Sequence, residues 1–110
     1  MSFPRRNTRR IIVDGVEYLW HLNPDFDLRD AWIIIGQKGQ TEQLVFLDPY
    51  HHDFLIGPHA VSEAIRFVRA NGWQPGVPGK EMRLGSDGDA FTILPNNWVL
   101  GSYKYHQKDT

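Results

Sequence analysis

Arg9-Arg10-Ile11-Ile12-Val13-Asp14-Gly15-Val16-Glu17-Tyr18-Leu19-Trp20-His21-Leu22-Asn23 is the stretch from which the fold of this chain can be read. Two β-prone runs flank Asp14-Gly15. That dipeptide favours a two-residue type I′ turn, because both central residues need positive φ. The turn fixes the register: Val13 opposite Val16, Ile11 opposite Tyr18 and Arg9 opposite Trp20. Val16, Tyr18, Trp20 and Leu22 alternate and form the expected core face. Glu17 and His21 fall on the other side. Arg9 is placed to lie over Trp20 as a cation–π pair.

Working outward, residues 1–8 show no periodicity and are expected to fray. Asn23 to Asp27 is rich in turn formers. Ala31 to Gly36 and Gln43 to Asp48 read as strands joined through Lys38-Gly39-Gln40. Both are apolar at consecutive positions, the pattern of central strands covered on two faces. His51 to Ile56 reads as a further short strand after the turn at Asp48-Pro49-Tyr50.

Gly57-Pro58 opens the one helix. Pro suits the first helical position, where its missing N–H would have no partner. Val61, Ala64, Ile65 and Val68 recur at helical spacing up to Ala70, and Asn71-Gly72 is the stop. Trp73 is expected to fold back over the helix end. Gln74 to Gly79 and Gly85 to Asp89 read as loops, and Ala90 to Leu94 as a strand. The tail from Asn96 holds Trp98, Val99, Leu100, Tyr103 and Tyr105, too apolar to be left free. These elements predict an α+β fold, an antiparallel, meander-like sheet of four or five strands with one amphipathic helix across one face. The chain reads as a single domain over residues 1–110, with 95–110 packing on the domain or on a partner.

The bulk properties agree. The 110 residues are 41% hydrophobic and 23% charged, with a net charge of −1 and no cysteine. This excludes a disordered chain and a coiled coil, as well as disulfides, thiolate chemistry and cysteine-held zinc. A cysteine-free small domain suits the cytoplasm. The longest apolar run, Ala31 to Ile35, is far too short to span a bilayer, and no apolar segment of a signal peptide follows the basic N-terminus.

The pattern Pro58-x-x-Val61…Ile65…Asn71-Gly72-Trp73-x-Pro75…Gly79 resembles a group of small stand-alone bacterial domains with no assigned activity. Its members combine an N-terminal hairpin, a Trp-led third strand, a helix opening at Pro and a Gly-Trp-x-Pro-x-x-x-Gly run leading to a final strand. The likeness covers roughly residues 10–94. It implies an architecture and a bacterial source, and no activity. In that group the helix follows a Thr cap, whereas here Gly57 stands at that place, with fewer capping bonds.

Three constellations bear on chemistry. Asp48-Pro49-Tyr50-His51-His52-Asp53 with His59 carries ligand-type side chains, and His51, Asp53 and His59 are the metal candidates. On a strand, however, His51 and His52 point to opposite faces, so the spacing favours no metal and no cofactor. Arg5, Arg6, Arg9 and Arg10 could meet nucleic acid, but the balanced net charge opposes it. The serines lie in no nucleophile-elbow pattern, and the glycines form no phosphate-binding loop. The aromatic residues remain. Trp20, Trp32, Trp73 and Trp98 cannot all be hidden in so small a domain, and Trp32, Trp73, Trp98 and Tyr103 are the candidate binding residues. The leading reading is a non-catalytic binding or protein-interaction module with a second copy or another protein as partner, or a small-molecule ligand, and no membrane. A small metal-assisted enzyme using His51, Asp53 and His59 is the alternative, and a nucleic-acid accessory is the third.

Overall fold

Asp14 and Gly15 both adopt positive φ, 52° and 82°, so the first hairpin turns through the type I′ geometry that Asp-Gly favours. A computed structural model describes residues 8–23, 32–49, 57–87 and 90–99. Around the turn, Val13 pairs with Val16, Ile11 with Tyr18 and Arg9 with Trp20. Arg9 stands 5.7 Å from the centre of the Trp20 ring. The expected register and core face hold: Tyr18 and Trp20 are buried, while Glu17 and His21 lie on the opposite side.

In chain order the elements are β1 (Thr8–Val13), β2 (Val16–Asn23), β3 (Trp32–Gln37), β4 (Gln40–Pro49), α1 (Pro58–Ala70), β5 (Met82–Asp87) and β6 (Ala90–Leu94). The six strands form one sheet in sequence order. Neighbours are antiparallel except β4 and β5, which run parallel.

The fold is therefore α+β with one helix, but the sheet is larger than four or five strands and is mixed rather than a pure antiparallel meander. The physical reason is α1. A hairpin reverses the chain, whereas a helix-length connection carries it back along the sheet, so the next strand enters parallel to the last. β5 is the strand that the loop reading of Gly85-Ser86-Asp87 hid. Gly85 and Ser86 are fully packed inside the sheet, and tertiary burial overrides the turn preference of those residue types. β1 begins at Thr8, inside the segment expected to fray. The short strand expected over His51 to Ile56 lies outside the described residues.

The helix ends as the sequence requires. Gly72 takes φ 95°, a left-handed conformation that a side chain disfavours. The Trp73 amide then donates to the Val68 carbonyl at 2.9 Å and the Asn71 side chain to the Phe67 carbonyl at 2.7 Å. At the start, Gly57 gives no side-chain cap.

Val61, Ala64, Ile65 and Val68 press onto a sheet face built from Val13, Tyr18, Trp20, Ile33, Ile35, Val45, Leu47 and Leu84. The Trp73 ring joins them, 5.8 Å from Tyr18, and its indole N–H donates to the Gln43 carbonyl at 2.9 Å. Pro75 accepts from the Glu42 and Gln43 amides, and Gln43 Nε2 donates to the Val77 carbonyl. The Gly-Trp-x-Pro run thus clamps the post-helix segment onto the start of β4. Among the described residues no helix is long and apolar enough to cross a membrane.

Candidate binding surface on the second sheet face

The helix covers one face only, so the composition of the other is what distinguishes this sheet. Register carries a single row across all six strands on that second face: Thr8, His21, Ile34, Phe46, Arg83 and Leu94 are successive cross-strand partners. Neighbouring strands lie about 4.8 Å apart, so His21 and Arg83 flank the Ile34–Phe46 centre at a separation of about 14 Å. Ile34, Leu44 and Phe46 form a second apolar cluster, with Trp32 packed against it. Ile34 and Phe46 are each only 8% exposed, so their burial is complete within one chain.

The C-terminal segment reaches this face. After β6, the Trp98 amide donates to the Pro95 carbonyl at 3.0 Å, a tight turn that brings the chain back. The Trp98 indole N–H then donates to Asp48 Oδ2 at 3.0 Å, and Arg83 Nη1 donates to the Trp98 carbonyl at 3.1 Å. Asn96 Nδ2 adds a bond to the Glu81 carbonyl at 2.9 Å. Asp48 is 1% exposed. A buried carboxylate is costly without donors, and the indole N–H is one of those it has. The guanidinium of Arg83 lies 5.2 Å from the centre of the Phe46 ring.

Two atoms in the cross-sheet row are left over. Buried Arg83 Nε and buried His21 Nδ1 have no hydrogen-bond partner among the described residues. Among the described residues Arg83 has no carboxylate in ion-pair range. Glu17, at the other end of the face, sits 3.3 Å from Lys38 and 3.7 Å from Arg10.

The residues singled out from sequence are distributed as follows. Trp98 is bonded into the second face and Trp32 is half-buried at its apolar cluster. Trp73 is 3% exposed within the helix-side core, where an indole offers a ligand no surface. Tyr103 lies outside the described residues. So do His51, Asp53, Arg5 and Arg6. His59 is exposed on the first turn of α1, and no group of three His, Asp or Glu that could hold a metal occurs among the described residues. Arg9 is engaged with Trp20 and Arg10 with Glu17. The residue that sequence reasoning missed is Arg83. Its signal was the alternation Met82-Arg83-Leu84 just before Gly85-Ser86, which places Arg83 on the opposite face from its two apolar neighbours.

The fold and this surface define a small α+β domain with a polar-flanked apolar sheet face. Comparison with protein-family models, with curated proteins and with solved structures found no match to the chain.

Proposed function

We propose that this protein is a non-catalytic binding module, and that the partly exposed residues of the second sheet face, Arg83, Trp98 and Trp32, are its contact surface for another protein. The observation that carries this reading is Arg83. Its guanidinium is stacked on Phe46 and pinned by the Trp98 carbonyl, yet among the described residues the buried Nε has no acceptor. Arg83 as a whole is half-buried and has no carboxylate in ion-pair range among the described residues, so an arriving carboxylate that reaches the accessible part of the guanidinium supplies the missing counter-charge. Trp98 is bonded to both groups, its indole N–H to Asp48 and its carbonyl to Arg83, which holds the C-terminal segment beside the guanidinium. Trp and Arg beside an apolar patch are also the residue types that dominate interface energetics. A partner segment that offers a carboxylate to Arg83 and apolar contact to Trp98 and Trp32 fits this arrangement best. The lack of cysteine suits such a module in the cytoplasm.

The test is a titration of isotopically labelled protein with two acetylated peptides that differ only in Glu against Gln. The Glu peptide is expected to move the Trp98 indole and Arg83 Nε resonances, with at least about tenfold weaker binding by the Gln peptide and by Arg83→Gln. Shifts confined to Arg9 and Arg10, or none up to millimolar peptide, count against the second face as the contact surface.

A further inference from the structure

The two ends of the sheet are not equivalent, and the difference points to self-association. β1 is an edge strand that carries Arg9 and Arg10, both exposed. Charge on an edge strand discourages pairing with another sheet. β6, at the far edge, reads Ala90-Phe91-Thr92-Ile93-Leu94 and carries no charge at all. Ala90 and Thr92 are exposed, and Ile93 is 49% exposed. Among the described residues nothing bonds to the outer main-chain groups of β6, whose only strand partner is β5. Pro95 follows at once and has no N–H, which confines any added pairing to these five residues.

We propose that β6 is a docking edge for the β6 strand of a second copy of this chain, the two pairing antiparallel about a twofold axis at Thr92. The sequence of the strand is self-complementary in that register. Ile93 stands opposite Leu84 on the helix face, and Phe91 belongs to the same face, where it meets Phe67 at 5.5 Å. Pairing about Thr92 sets Phe91 of each copy against Ile93 of the other. Aromatic and β-branched residues make favourable cross-strand pairs, and the half-exposed Ile93 gains cover. Ala90 meets Leu94 twice, and Thr92 meets its own copy. An isologous contact uses each β6 once. The remaining free edges are then both β1 strands, whose arginines oppose further growth, so assembly stops at a dimer. This contact uses the outer edge of β6, where Leu94 stands beside Arg83 in the cross-strand register, and it does not rest on the binding reading of the second face.

Sedimentation equilibrium over about 1–200 μM tests it, with folding of every variant checked by circular dichroism. The wild type is expected to pass from a 12.7 kDa species to its dimer with a dissociation constant on the order of 10 μM, since a five-residue pairing is a small interface. Thr92→Lys and Thr92→Glu, at an exposed position, should each remain folded and associate at least about tenfold more weakly, because like charges meet on the axis. An equimolar mixture of the two should recover association to within about threefold of wild type, because Lys then faces Glu. A wild type that stays monomeric across the range overturns the proposal. So does a folded pair of variants whose mixture recovers nothing, or association that survives Thr92→Lys and is lost in Arg83→Gln.

Discussion

The two faces of one sheet are built to different standards. Towards α1, Ile33, Ile35, Val45, Leu47 and Leu84 have no exposed surface, and the indole of Trp73 finds the Gln43 carbonyl. On the reverse side Ile34 and Phe46 are nearly as well buried, yet they sit between His21 and Arg83, each with a buried nitrogen that has no hydrogen-bond partner among the described residues. The first face is what burial alone produces: apolar area removed from water at about 25 cal/mol per Å². The second gives up part of that gain to keep polar groups in place. Local rules are broken most often where a protein recognises something, and this contrast is why the second face is the candidate surface.

The contrast can be broken most directly at Ile65. This residue is fully buried against the first face, so Ile65→Ala should lose about 2–5 kcal/mol in chemical denaturation through transfer and cavity terms. A loss under about half a kcal/mol would place it at the surface and remove the helix-face core. Next in size is Trp98→Phe, which keeps the ring and removes the N–H that reaches buried Asp48. We expect a loss of about 1–3 kcal/mol. An unchanged denaturation midpoint would mean that this bond does not hold the C-terminal segment to the second face.

Gly15→Ala probes the device that decides which face is which. With φ at 82°, a β-carbon there costs about 1–2 kcal/mol. The Thr8–His21 to Val13–Val16 register should survive in hydrogen-exchange and NOE patterns. A one-residue slip would instead send Tyr18 and Trp20 to the second face. The smallest effect has the opposite sign. His21→Leu replaces a half-buried side chain with an unbonded Nδ1 by an apolar one, and stability should rise by up to about 1 kcal/mol. A loss of more than about 1 kcal/mol would show that His21 has a bonding role in stability, and the contrast between the faces would weaken.

Some of this architecture was legible from local chemistry. Asp14-Gly15 specified the hairpin and its register because few residue pairs tolerate positive φ twice in succession. Pro58, the Val61-Ala64-Ile65-Val68 stripe and Gly72 specified α1 from Pro58 to Ala70, since a helix start, its period and its left-handed stop are all written within a few residues. The apolar runs of β3 and β4 announced burial on both sides. Arg83 was not legible. It lies in a strand whose second half, Gly85-Ser86-Asp87, reads as a turn, and its stacking on Phe46 requires a partner 37 positions away in sequence.

By itself the sequence determined the pieces that depend on neighbouring residues: a type I′ hairpin, one amphipathic helix, and strands covered on two sides. Only the tertiary structure decided that α1 is a crossover, that β5 joins β4 in parallel, and that Asp48, Trp98, Arg83 and Phe46 meet on the second face. The physical reason is range. Turn and helix preferences act over three or four residues, whereas strand partners and buried hydrogen bonds are chosen by desolvation across the whole chain. There a turn-forming Gly-Ser pair becomes a strand once its backbone has nowhere else to bond.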